Sequence, residues 1–156
     1  MALFLVQHGI SAQKDIDPEK GLTDQGQAET KRIAEVAKGY GVKVAKIGHS
    51  GKKRAEQTAT IFRDIMSLKA PLETIPGINP KDDVRAFART IFSESNAMVV
   101  GHLPFLQRLV SRLITGSEDY KVYQFQNSGI VCLDTSEELD GKVDWFIKWT
   151  LNPRIS

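Results

Sequence analysis

Three short apolar runs, each ending directly in a histidine or its neighbour, constrain this chain more than any other feature. Ala2 to Val6 runs into Gln7-His8-Gly9, and Asn96-Ala97-Met98-Val99-Val100-Gly101 runs into His102. A segment alternating from Val42 to Gly48 runs into His49-Ser50. Unbroken apolar runs this short suit strands buried on both faces, which a largely parallel sheet covered by helices provides. In such sheets ligands bind beyond the carboxyl ends of the strands, where these three segments deliver their polar residues.

The stretches between them read as helices. Thr23 can cap a helix over 24–38, with Asp24 in its first turn, Ile33, Ala34 and Ala37 on one face, and Gly39 and Gly41 beyond its end. Ala55, Thr58, Ala59, Phe62, Ile65 and Met66 recur at helical spacing. So do Val84, Phe87, Ala88, Ile91 and Phe92 over 82–92, and Leu106, Leu109, Val110, Leu113 and Ile114 between Pro104 and Gly116. Residues 11–22, with Asp17-Pro18 and Gly21, read as a loop. Further strands are expected at 122–125, 130–133 and 143–150, with a turn over 137–141. Strands alternating with helices predict an α/β fold: a three-layer helix-sheet-helix sandwich with a mostly parallel, mixed sheet. At 156 residues the chain fits one domain, 1–156.

Charge narrows the function. Lys and Arg number 21 against 19 Asp and Glu, too balanced to point to nucleic acid. No apolar stretch approaches the roughly 20 residues that span a bilayer, and the N-terminus carries no basic leader. Cys132 is the single cysteine, so no internal disulfide can form. A cytoplasmic protein is expected, without nucleic-acid or membrane partners.

The strand ends carry the candidate chemistry. His8 is followed by Gly9, which leaves room for a ligand, and a neutral imidazole can attack phosphorus. Alone, such a histidine more often simply closes a strand. Ser50-Gly51-Lys52-Lys53-Arg54 joins a strand to an amphipathic helix and gathers backbone N–H groups with three cations, an anion site whose bland alternative is a solvated basic turn. Arg54 offers a planar fork that matches two phosphate oxygens. His102, ahead of Leu103-Pro104, lies near a helix start and as imidazolium could donate to a phosphoryl oxygen; the alternative is a capping residue. A metal site is disfavoured, because no two histidines share the i, i+4 spacing and cations crowd the region. Trp145 and Trp149 alternate on a late strand and read as packing residues. His49 has no assigned role, and a structural one is expected.

Together these segments resemble the histidine phosphatase, or phosphoglycerate mutase-like, superfamily, and within it the small SixA-type phosphohistidine phosphatases. The resemblance runs through Leu3 to Gly9, Leu22-Thr23-Asp24-Gln25-Gly26, Ser50 to Ala59, Val99 to Pro104 and Asn127-Ser128-Gly129. No piece is specific alone, but the order and overall length are. The resemblance implies His8 as nucleophile, with Arg54 and His102 as catalytic partners. It matches Ser11 to a hydroxyl near the phosphate and implies no metal or organic cofactor; joined to the anion site read above, the expected phosphate-binding residues are Gln7, Gly9, Ser11, Ser50, Lys52, Arg54 and His102. The implied substrate is phosphohistidine on a protein, such as a phosphotransfer domain, or a small phosphate compound.

Two departures matter. The family's first motif is Arg-His-Gly, and here it is Gln7-His8-Gly9. One reading is a compensated or slower phosphatase, with Lys52 or Lys53 supplying the charge. The other is a relative that binds phosphoryl groups without turning them over. Larger members also carry a carboxylic acid for the leaving group. Asp82 and Asp83 are the nearest candidates by position, and a phosphoramidate needs such help less. For the reaction, His8 is expected neutral and His102 protonated.

Overall fold

A computed structural model describes residues 2–91, 96–137 and 143–155. Ten elements follow in order: β1 (Leu3–Gln7), α1 (Asp24–Gly39), β2 (Lys46–His49), α2 (Lys53–Ile65), β3 (Leu72–Thr74), α3 (Val84–Thr90), β4 (Ala97–Gly101), α4 (Phe105–Thr115), β5 (Ile130–Glu137) and β6 (Val143–Leu151). They form one six-stranded sheet in the order β3-β2-β4-β1-β5-β6. The first four strands of that order pair in parallel, and β5 and β6 are antiparallel. The expected three-layer α/β sandwich with a mixed sheet is what the chain adopts.

The apolar runs become strands because both their faces are covered. Leu3, Phe4, Leu5 and Val6 of β1 are 2%, 4%, 0% and 0% exposed. Leu3 and Leu5 pack into one core with Val84, Phe87, Phe105, Leu106, Leu109 and Val110 from α3 and α4. Phe4 and Val6 point the other way, into a core with Ile33, Ala34, Ala55, Ala59 and Phe62 from α1 and α2. Period-two alternation thus divides one strand between two cores.

The end signals act as read. Thr23 caps α1 by accepting the Gly26 N–H, and Gly116 ends α4 in a left-handed conformation at φ 84°. Pro104 stands at the N-cap of α4 after a cis peptide bond. Among the described residues no helix is long and apolar enough to cross a membrane.

Four expectations change. β2 begins only at Lys46; Val42 and Val44 pack against the α1–α2 core from a coil. The third helix starts at Val84 because Asp83 caps it, and Phe92 lies outside the described residues, as does most of the expected 137–141 turn. The segment 122–125 is not a strand: Phe125 is buried and Val122 and Tyr123 pack on the α3–α4 core without a ladder. The edge strand β3 has no counterpart in the sequence reading. Trp145 and Trp149 are packing residues, as expected, but a register shift opposite Cys132/Leu133 sends them to different cores.

Candidate active site

Strand register assembles the site. β1 and β4 run parallel with Gln7 opposite Gly101, so the next residues, His8 and His102, emerge side by side. The His8 N–H donates to the Gly101 carbonyl at 3.1 Å, extending the ladder by one step. The two imidazoles lie with ring centroids 5.1 Å apart. On the far edge of β4, His49 pairs with Val100, which brings Ser50 level with them. Ser50 Oγ sits 2.6 Å from His102 Nε2.

His8 is held in one tautomer. Its Nδ1 lies 2.7 Å from the Gly9 carbonyl oxygen. A carbonyl only accepts, so Nδ1 carries the proton and Nε2 keeps its lone pair. The backbone behind it is fixed from several sides. The Gly9 N–H donates to Thr58 Oγ1 at 2.9 Å, and that hydroxyl donates to the Arg54 carbonyl at 2.8 Å. Thr58 therefore ties the residue after the nucleophile to the first turn of α2, where Arg54 projects. Asn127 Nδ2 donates to the His8 carbonyl at 2.9 Å, and the Ser128 N–H donates to the Gln7 carbonyl at 2.9 Å. Thr30 and Ser128, both fully buried, share a 2.7 Å hydroxyl hydrogen bond.

Glycine at 9 and 26 allows this closeness. A Cβ on Gly9 would meet Thr30 Oγ1 at 2.9 Å and the Gly26 carbonyl oxygen at 3.1 Å, and one on Gly26 would lie 2.2 Å from the Ile10 carbonyl oxygen.

The site is electrically unusual. Burial, opposed by the Gly9 carbonyl and reinforced by the charges of Arg54 and Lys20, pulls the His8 pKa down to about 4. Burial, with His8, Arg54 and Lys52 adding to it, pulls His102 down to about 3. Before a phosphoryl group arrives both rings are neutral, chiefly because they are buried, with the neighbouring cations adding to that effect. Gln7 Oε1 and His102 Nδ1 are buried without a hydrogen-bond partner.

Beside Arg54 lies an open hollow of about 700 Å³, lined by Lys14, Lys20, Lys52 and Lys53 together with the acids Glu19 and Glu56. Among the described residues no carboxylate pairs with Arg54 or Lys52. Lys53, by contrast, sits 3.0 Å from Glu19 and 3.9 Å from Asp17. Its charge is already shared with those two acids.

His49 finds a structural role. Its Nδ1 accepts the Gly51 N–H at 3.0 Å, closing a turn in which Gly51 takes φ 92°. Burial lowers its pKa, as an accepting nitrogen requires.

Gln7, His8, Gly9, Ser50, Lys52, Arg54 and His102 all belong to this one end of the sheet. Ser11 pairs with Leu22 in a single bridge that pins the 11–22 loop. Asp82 and Asp83 serve turns instead: Asp82 accepts the Asn79 N–H at 2.8 Å, and Asp83 caps α3 and pairs with Arg85 at 3.1 Å. The residues that reading missed are Thr30, Thr58 and Asn127, which hold the backbone of the site, and Lys20. Thr58 and Asn127 lie inside the quoted motif segments, which is the signal that could have found them.

No family model matches this sequence. Phosphohistidine phosphatase SixA of Escherichia coli K12 is 28% identical over 151 residues, spanning 93% of this chain and 92% of that protein. A solved structure of the protein histidine phosphatase SixA complexed with tungstate superposes at TM-score 0.81, with 26% identity over 98% of this chain and 97% of that one. The alpha-ribazole phosphatase of Shigella flexneri shares the fold at TM-score 0.71 and 16% identity, over 100% and 98% of the two chains. Strand order, the paired histidines and similarity along nearly the whole sequence make this chain a homologue of SixA, with structural neighbours among the histidine phosphatases.

Proposed function

We propose that the chain is a cytoplasmic, metal-independent phosphatase that removes the phosphoryl group from phosphohistidine on a protein. The observation that carries this reading is the neutral His8, with Nδ1 committed to the Gly9 carbonyl and Nε2 free beside Arg54, Ser50 and His102.

In the first step His8 Nε2 forms a bond to phosphorus as the P–N bond to the substrate imidazole breaks. The substrate ring leaves neutral if it enters protonated. Arg54 and the Ser50 hydroxyl take up charge on the equatorial oxygens in this reading, while the Gly51 and Lys52 N–H groups close the 50–53 turn on His49 Nδ1 and Ser50 Oγ. In the second step water attacks phosphorus, the His8–phosphorus bond breaks, phosphate departs and the water proton is released. The phosphoryl group brings negative charge to His102, which raises that ring's proton affinity and lets it donate to the bound oxyanion.

The leaving group supports the substrate class. Asp82 and Asp83 are occupied in turns, and no carboxylate joins the hydrogen-bonded cluster among the described residues. An ester would need a general acid worth about 10²–10⁴-fold, whereas a protonated phosphoramidate carries its own proton. The open hollow also suits a histidine presented on a protein surface, such as a phosphotransfer domain. Similarity to a phosphatase along almost the full length makes the non-catalytic binding reading the weaker one, despite Gln7.

The test is release of acid-labile phosphate from a phosphohistidine-labelled protein by wild type and His8→Ala, beside an aryl phosphate. Wild type should clear the protein label and turn over the aryl ester far more slowly, and His8→Ala should do neither. Equal rates on both substrates would leave a general phosphatase. Binding without release would leave a phosphoryl-binding relative.

A further inference from the structure

A phosphoryl group carries close to two negative charges. In this pocket both histidines are neutral before it arrives, and the residue before the nucleophile is an uncharged glutamine. Of the two cations whose charge reaches His8, Arg54 and Lys20, Arg54 is carried by an element of the reactive cluster. Lys53 is taken by Glu19 and Asp17. The charge of Lys52 acts on His102.

Lys20 is left, and its placement is unusual. It holds a left-handed backbone at φ 52°, a conformation that a turn normally assigns to glycine or asparagine. The surrounding turn enforces it. The Asp17 carboxylate accepts the N–H of Glu19 at 3.0 Å and of Gly21 at 2.9 Å, while the Asp17 carbonyl accepts the Lys20 N–H at 2.9 Å. The Gly21 carbonyl accepts the Ala12 N–H at 2.8 Å, and the Leu22 N–H donates to Gln57 Oε1 at 2.7 Å. Lys53 of α2 clamps the same turn through Glu19 and Asp17. Those two acids are thereby engaged with Lys53, and Lys20 forms no ion pair among the described residues. A lysine kept at a strained position in an over-determined turn, on the hollow that Arg54 also lines, points to a use for its charge.

We infer that Lys20 is a phosphoryl-binding cation of this site, held on the hollow beside Arg54 by the 17–22 turn, and that it supplies the positive charge that Gln7 lacks. The inference rests on the phosphatase reading. Lys20 lines the same hollow as Arg54 and Lys52. Its charge and that of Arg54 both depress the proton affinity of His8, which places them within electrostatic reach of the nucleophile. Lys20 thus adds to the burial that keeps the nucleophile neutral while drawing the dianion toward it.

The experiment is a double-mutant cycle between positions 7 and 20, read by kcat/KM on a phosphohistidine-labelled protein and by calorimetric binding of tungstate. Lys20→Asn keeps the left-handed preference and removes the charge. It should lower both kcat/KM and tungstate affinity by about 10- to 100-fold, the worth of one charge-assisted hydrogen bond, with Tm unchanged. Lys20→Arg should stay within a few-fold of wild type. In the Gln7→Arg background, Lys20→Asn should cost only a few-fold. The same loss in both backgrounds, or wild-type behaviour of Lys20→Asn, overturns the inference. If Lys20→Asn unfolds, Lys20→Gly, which this backbone also accepts, replaces it in the cycle. An inactive wild type would sink the phosphatase reading, and the tungstate arm would still decide whether Lys20 binds the oxyanion.

Discussion

Acid should destabilise this protein through its own active site. His8 and His102 are held at about 4 and about 3 in the fold, against an ordinary histidine value of 6.5. Protons therefore favour the unfolded chain. The stability present above pH 6.5 drains as pH falls through the window between 6.5 and those folded values. Between pH 7.5 and 5.0 each histidine should cost about 2 kcal/mol, so the pair costs a large part of the 5–15 kcal/mol typical of a domain. His49, also held below its ordinary value by burial, pulls in the same direction. The carboxylates Asp17 and Asp83 are held low as well, but their contribution is lost only below about 4, outside the window. The assay is urea unfolding followed by far-ultraviolet circular dichroism at both pH values, for wild type, His8→Asn and His102→Asn. Wild type should lose the most. Each variant should lose about 2 kcal/mol less, because one titrating ring is gone. Parallel curves for all three proteins would refute the reasoning, since they would mean that neither ring is held neutral by the fold.

Two further substitutions probe the geometry. Gly9→Ala drives a methyl into Thr30 and the Gly26 carbonyl, and should cost about 1–3 kcal/mol of stability by urea titration while moving His8 off line and lowering kcat. Ser50→Ala removes the 2.6 Å partner of His102 Nε2; it should lower kcat/KM by about tenfold in steady-state assays and stability by about 1 kcal/mol.

The centre of the fold was legible and its edges were not. β1 and β4 are buried on both faces, so their sequences contain little besides apolar residues. α1, α2 and α4 each present one face to one core, and the spacing records it. β3 is three residues at the sheet edge with Glu73 and Thr74 exposed, so no burial pattern marks it. The 122–125 segment shows the converse: Tyr123 and Phe125 stack edge-on 5.3 Å apart and pack on a core, so the side chains alternate as in a strand while the backbone pairs with nothing. The histidines could be found because they stand at or directly after strand ends, and Arg54 because a short basic turn leads from β2 into the amphipathic α2. Lys20 could not, because its position depends on Asp17, Gln57 and Lys53 meeting in space. The low proton affinity of His102 was not legible for a related reason: it comes chiefly from burial, to which Arg54 and Lys52 add, and burial is a property of the folded pocket.

The shifted register between β5 and β6 has a practical consequence. Cys132 faces Trp149 and Leu133 faces Ile147, so Lys148 is the extra residue and the face of β6 reverses across it. Trp145 then reports on the layer of α3 and α4, and Trp149, 6.0 Å from Phe4, on the layer of α1 and α2. Replacing either indole with phenylalanine leaves a single emitter in one layer. Two such proteins would show by fluorescence whether the halves of the sandwich melt together, or whether the layer bearing Arg54 loosens first.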